Sequence, residues 1–298
     1  RGGCYRGNGS TAEKIREAQL TGLAAYRAKA GAGTVHGMTP IDGFVDFVTD
    51  AKDAFGIAPK FLLSSCGLGG AEIETWKRTP SANIDPSTGV DAAETPWTLR
   101  SEFDAMVNAA KTLATAQGWG YEVLCIVYKG GEQDHSDSSF ATDLEQVIDE
   151  INADIITPAS SCYTGQQYYP IWFSSQPGSN GSGAGAGSYN GTYAVNGILA
   201  LHDSGDLHCA CPDYAIIAHS GYTGSAPDYI HMAATGYAIV AAYVWRNLVR
   251  KMMNAAAIDP LRIASAVRSG TTITVTYEGG EGNPIAFDTT LISERSGT

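Results

Sequence analysis

One segment of this chain brings a carboxylate and an imidazole together by spacing alone. In Pro227-Asp228-Tyr229-Ile230-His231-Met232-Ala233-Ala234-Thr235-Gly236-Tyr237 the acid stands three residues before the histidine, where an apolar run begins. A single turn at a helix entry can carry both side chains on one side. A serine hydroxyl is a weak nucleophile at neutral pH and needs a base to take its proton. Histidine suits that task because it titrates near neutrality. A carboxylate on its other ring nitrogen fixes the tautomer and stabilises the imidazolium. Taken by itself, Asp-x-x-His also describes a helix capped by an aspartate with an incidental histidine in its first turn. Two further segments belong with it. Tyr128-Lys129-Gly130-Gly131-Glu132-Gln133-Asp134 puts glycines and acids directly after an apolar run, and Gly67-Leu68-Gly69-Gly70 follows another. Glu132 and Asp134 read as structural or substrate-facing groups of one site, with solvated loop charges as the plainer alternative.

The elements that must position these residues alternate. Ser10 and Glu13 suit a capping box opening a helix to about Lys29. Thr39-Pro40-Ile41-Asp42 reads as the start of a second helix, with Phe44, Val45 and Val48 as its apolar stripe. Phe61 to Cys66 reads as a short strand, Leu99 to Ala116 as a helix, and Tyr121 to Tyr128 as a buried central strand. A helix over about Phe140 to Ile151 is expected to lead into a strand at Asp154-Ile155-Ile156-Thr157. Residues 174–192, rich in Gly, Ser and Asn, read as a long surface loop. A strand is expected at Tyr214-Ala215-Ile216-Ile217, then a helix to about Met253. After Pro260, β-branched runs at Leu261–Val267, Thr271–Tyr277 and Ile285–Ile292 read as a hairpin or small sheet.

Strands separated by helices imply α/β architecture: a three-layer α/β/α sandwich with a mostly parallel sheet, followed by a partial C-terminal β appendage. The boundary falls near residue 256, giving a domain over 1–256 and the start of a small β domain over 257–298. Ligands in such sheets bind beyond the carboxyl ends of the strands, which is where the glycine-rich and acidic segments fall.

At 298 residues the chain can bury a full core. A net charge of −12 argues against a nucleic-acid partner, whose phosphates need Lys and Arg, and against an anionic membrane surface. No apolar run has the length of a membrane helix. Cys66 and Cys125, in apolar runs, read as reduced buried thiols. The Asn-Gly-Ser/Thr triplets at Asn8, Asn180 and Asn190 read as turns. His202, Asp203, His208, Cys209, Cys211 and His219 crowd one region, but Cys-x-Cys is tighter than the usual zinc pair, so the clustering reads as incidental. Neither metal nor organic cofactor is expected. Tyr163, Gln166, Gln167, Tyr168, Tyr169 and Trp172 suit a sugar face and a packed loop equally, as does Trp76.

Taken together, Asp228-x-x-His231-Met-x-x-x-Gly236-Tyr237, Gly130-Gly131-Glu132-Gln133-Asp134 and Gly67-x-Gly69-Gly70 resemble the SGNH-hydrolase superfamily. They look most like its carbohydrate O-acetylesterase branch, including versions carried on phage tails. The Cys211-Pro212-Asp213-Tyr214 and Phe287-Asp288-Thr289 segments add to that resemblance. It implies a serine-type ester hydrolase removing acetyl groups from a carbohydrate, a bacterial surface polysaccharide in the phage-type members. By this resemblance His231 is the general base and Asp228 orients it. Gly69 and Gly70 supply an oxyanion N–H, and Gly131 and Glu132 line the substrate site. The partner implied is an acetylated glycan, the location extracellular or on a virion, and the assembly a homo-oligomer, a trimer on a tail.

The chain departs from this pattern twice. The Gly-Asp-Ser or Gly-Gln-Ser nucleophile block is expected upstream of Arg1, in a longer gene product; Ser10 reads as a helix cap, and Ser64 and Ser65 lack a nucleophile turn. Gly130 stands where the family carries the Gln or Asn whose amide serves as an oxyanion donor, leaving Lys129 or backbone N–H groups for that task. The alternative function is a glycan-binding module with a degenerate site.

Overall fold

The structure is a computed structural model. It describes residues 3–4, 62–64, 71–79, 99–160, 162–177, 192–213, 216, 234–253 and 262–278. In chain order the elements are β1 (Gly3–Cys4), β2 (Leu62–Leu63), a 3-10 turn (Ile73–Trp76), α1 (Leu99–Ala116), β3 (Cys125–Tyr128) and α2 (Phe140–Ile156). They continue with β4 (Ile171–Gln176), α3 (Tyr193–Ser204), β5 (His208–Pro212), α4 (Ala234–Met252), β6 (Arg262–Ser269) and β7 (Thr272–Glu278).

Strands β3, β4 and β5 form a parallel sheet with β4 in the centre. Side chains alternate across it, as the two-residue period of a strand requires. Ile126, Tyr128 and Trp172 join the core built with α1, α2 and α3, whereas Cys125, Val127 and Phe173 join Val240, Ala241, Val244 and Leu248 of α4. Helices therefore cover both faces, and the expected α/β/α layering is what forms. A bulge keeps β5 in phase. Ser174 pairs with Cys209 but Ser175 pairs with Cys211, so Ala210 is an extra residue. Cys209 consequently faces the first core and Cys211 the second, although an unbroken strand would put both on one side. Separately, β1 pairs parallel with β2.

Helix α2 carries a long buried stripe. Phe140, Leu144, Val147, Ile148, Ile151 and Ile155 recur at helical spacing and are all buried. Each such side chain contributes about 1.5–3 kcal/mol when fully removed from water. The helix continues through 154–156, where a strand was expected. Ile155 completes the buried stripe begun at Ile151, which outweighs the β-propensity of a short Ile-Ile run. It stops because Thr157 precedes Pro158, which disfavours the helical region; Thr157 is extended, at φ −89° and ψ 118°. Against α2 lies α3. A Cβ at Gly197 would come within 2.9 Å of Phe140 Cδ1, so the two helices approach at a glycine.

Other expectations divide. The helix over Leu99–Ala116 forms with those bounds. The strand read at Tyr121–Tyr128 is shorter. Residues 174–176, assigned to a surface loop, belong to the central strand, and Ser174 and Ser175 are buried. The strand expected at Tyr214–Ile217 lies earlier, at His208–Pro212; Asp213 and Ile216 are helical. The hairpin β6–β7 forms; Ile263 pairs with Tyr277 and Ala266 with Val275, while Ile273 pairs with Arg268 and Val267 with Thr274. The third run, Ile285–Ile292, lies outside the described residues, as do both amino-terminal helices. Among the described residues no helix is long and apolar enough to cross a membrane.

Candidate functional site

Three adjacent strands deliver polar side chains to one point at their carboxyl ends. Lys129 follows β3, Ser175 sits near the end of β4, and Asp213 follows β5. Lys129 Nζ lies 2.9 Å from Asp213 Oδ2 and also pairs with Glu132. Ser175 Oγ donates to the same Asp213 Oδ2 at 2.9 Å. Lys129 has the parity of Cys125 and Val127, and Ser175 pairs in register with Cys211. The cluster thus stands on the face of the sheet that α4 covers.

Burial differs sharply within the cluster. The Asp213 side chain is fully buried while that of Lys129 is 20% exposed. Burial pushes the Asp213 carboxyl up; the neighbouring ammonium works against that but does not cancel it. For Lys129, burial would lower the ammonium, but Glu132 and Asp213 outweigh it and hold it above its ordinary value. Among the described residues Asp213 Oδ1 is buried without a hydrogen-bond partner, a costly arrangement in a low-dielectric interior.

The turn after β3 is built around glycine. Gly131 has φ +103°, and a Cβ there would meet Ala194 Cβ at 3.1 Å, Phe140 Cζ at 3.3 Å and Pro177 Cγ at 3.4 Å. Only glycine satisfies both the dihedral and the space. A Cβ at Gly130 would lie 2.9 Å from the Tyr128 hydroxyl, so that phenol takes the room an amide side chain would need. The imidazole of His135 closes the turn by donating from Nδ1 to the Glu132 carbonyl at 3.0 Å.

Asp134 is a clamp. Both its oxygens accept from the single Ile73 N–H, each at 3.1 Å. Burial pushes its carboxyl up to about 7; the Ile73 bond opposes this, while Glu72, Asp137 and Asp143 add to it. Further ties hold the same stretch. Lys77 pairs with Asp143 at 2.8 Å, Arg78 with Asp154 at 2.6 Å, and the Arg78 N–H donates to Glu150 at 2.8 Å. The chain immediately after Gly67–Gly70 is therefore fixed beside the turn after β3. Trp76 packs against the core here.

Of the residues expected in the site, Glu132 pairs with Lys129 and Gly131 lies in the turn between them. Asp228, His231, Gly69 and Gly70 lie outside the described residues. His231 precedes α4 by three residues in the sequence. Lys129, Ser175 and Asp213 form a group that sequence spacing did not assemble. Ser175 carries no sequence signal; Asp213 entered only through the Cys211-Pro212-Asp213-Tyr214 segment, with nothing local to name its partners.

The aromatic-amide stretch does not join the site. Gln166 is buried and acts on the backbone at the other end of the sheet. Its Oε1 accepts from Val123 N at 2.8 Å, and its Nε2 donates to Val123 O at 3.2 Å and Tyr168 O at 2.7 Å. Trp172 is buried with Nε1 donating to Asn152 at 2.9 Å. Nor are the zinc candidates gathered: Cys209 and Cys211 face opposite cores, and His202 Nδ1 accepts from Cys209 N at 3.3 Å. His219 lies outside the described residues. Asp104, Asp154 and Cys162 present ligand atoms within 4.8 Å of one another, but Arg100 donates to both carboxylates and burial pushes the Cys162 thiol up to about 12.

Fold and site together define an α/β protein with a buried charged group at the carboxyl edge of a parallel sheet. No protein-family model matches the sequence, and none of the curated proteins matches it. A solved structure, that of Est24, a carbohydrate acetylesterase from Sinorhizobium meliloti, overlays with a TM-score of 0.36 at 11% identity, covering 64% of this chain and 79% of that one. At that TM-score the likeness bears on neither fold nor function, and the architecture above stands on its own strand pairings.

Proposed function

We propose that the chain is a serine-type ester hydrolase that removes acetyl groups from a carbohydrate. The supporting observation is that the charged cluster of Lys129, Glu132, Ser175 and Asp213 stands on the sheet face covered by α4, the helix that the Asp228-x-x-His231 block introduces. Binding at the carboxyl edge of an open parallel sheet is the general behaviour of such folds. The order of the three sequence blocks along the chain supports the same reading. In it, His231 takes the proton of a serine hydroxyl as that oxygen attacks the acyl carbon, then returns it to the departing sugar alcohol. Asp228 holds the imidazole. Water then repeats the sequence on the acyl-serine and releases acetate. A bacterial surface polysaccharide as substrate, and a place on a phage tail or outside the cell, rest on the resemblance alone.

Acetate release from an acetylated polysaccharide, by the full-length wild-type gene product and by its His231→Ala variant, tests the proposal. Wild type is expected to release acetate and the variant to lose about 1,000-fold or more, as removal of a catalytic base does. Equal release by both proteins would take the histidine out of the mechanism. Glycan binding by wild type without any release would favour the binding-module reading.

A further inference from the structure

The charged cluster has no need of its charges to fold. A lysine and two carboxylates at the end of a sheet, one carboxylate fully buried, cost more in desolvation than an apolar trio of the same volume. Three neighbouring strands nonetheless converge on one ammonium, at the edge where such sheets bind ligands. An ammonium has three donors. Glu132 and Asp213 Oδ2 account for two; the Lys129 side chain, 20% exposed, reaches solvent together with Glu132, at 22%, while Asp213 is buried. Position 130 beside it offers no side chain, and the Tyr128 hydroxyl lies where a Cβ there would go. Asp213 is further bound by Ser175 on its Oδ2, while its buried Oδ1 has no partner among the described residues. Its carboxylate is thus anchored for the lysine rather than satisfied for its own sake.

We propose that Lys129 donates its third N–H to the acyl oxygen of the ester as negative charge develops there, and that Asp213 is the positioning residue that holds the ammonium in place. The inference rests on the hydrolase reading. No proton changes hands at Lys129: the lysine stays an ammonium throughout, since its two carboxylates outweigh the burial that would discharge it. A preorganised donor of this kind contributes because charge grows on the oxygen only in the transition state.

The test is steady-state hydrolysis of 4-nitrophenyl acetate by the full-length gene product as wild type, Lys129→Met, Lys129→Arg, Asp213→Asn and His231→Ala, with thermal melting of each. Lys129→Met is expected to lose roughly 100- to 1,000-fold in kcat with little change in KM. Lys129→Arg recovers part of the loss. Asp213→Asn lowers kcat, and its effect disappears once Lys129 is Met, which a purely structural role would not produce. If Lys129→Met does not fold because its carboxylates are stranded, the double variant with Asp213→Asn removes one of them and is read in the same way. A Lys129→Met or double variant with kcat within about threefold of wild type, alongside an inactive His231→Ala, overturns the lysine assignment alone. An inactive wild type, or His231→Ala as active as wild type, sinks the hydrolase reading and this inference with it.

Discussion

Asp134→Asn is expected to reverse a pH-dependent cost carried by the wild-type protein. Asp134 is buried, and its two oxygens share one N–H from Ile73, so one donor compensates a full negative charge. Burial first, and then the neighbouring acids Glu72, Asp137 and Asp143, push its carboxyl from 3.8 to about 7. Above the unfolded pKa the unfolded chain gives up this proton while the folded chain retains it. The folded state then binds more protons, so stability falls as pH rises. The fall runs from about pH 4 to about pH 7 and levels off above that, at roughly 1.4 kcal/mol per pH unit. Over that window it amounts to about 4 kcal/mol. Asparagine keeps an oxygen for Ile73 N and never ionises. Urea denaturation followed by tryptophan fluorescence, across about pH 4 to 8, should therefore show the variant gaining about 4 kcal/mol on wild type, nearly all of it below about pH 7. Comparing the two proteins cancels the contribution of Asp213, whose raised carboxyl acts in the same direction. A stability difference that stays constant over this range would mean that Asp134 is ionised throughout, and that the single Ile73 N–H suffices for it.

Gly131→Ala meets both a left-handed backbone and three side-chain groups within 3.4 Å; it should cost about 1–3 kcal/mol in a urea melt and displace Glu132 with the turn. Gln166→Leu leaves the N–H and carbonyl of Val123 without their amide partner, which predicts a loss of about 1–3 kcal/mol for each buried group left unpaired, read from the denaturation midpoint. Together with the His231 and Lys129 variants these separate the scaffold of the site from its chemistry: the first two should lower stability, the last two turnover.

Long periodic elements were legible because their side chains repeat a single environment. Leu99–Ala116 carries a helical pattern and Thr272–Glu278 a two-residue one, and the helix and the β6–β7 hairpin both form where expected. The errors fell on short runs. Asp154–Thr157 has the residues of a strand but prolongs α2, because Ile155 sits one turn after Ile151 on the buried stripe. His208–Pro212 has weak strand propensity, with cysteines, alanine and proline, yet forms β5 because it pairs with the central strand β4.

The sequence by itself carried the alternation of helices and strands, the glycines a tight turn demands, and the spacing of Asp228 and His231, all properties of neighbouring residues. Tertiary structure decided what depends on distant ones. Ser174 and Ser175 resemble loop residues until β4 takes the centre of the sheet, where Ser175 bonds to Asp213, 38 positions away. Asp134 resembles a loop acid until Ile73, 61 positions earlier, gives it the N–H that makes it a clamp. In both cases a polar side chain is buried by the packing of other elements, and its partner comes from a part of the chain that no local pattern connects to it.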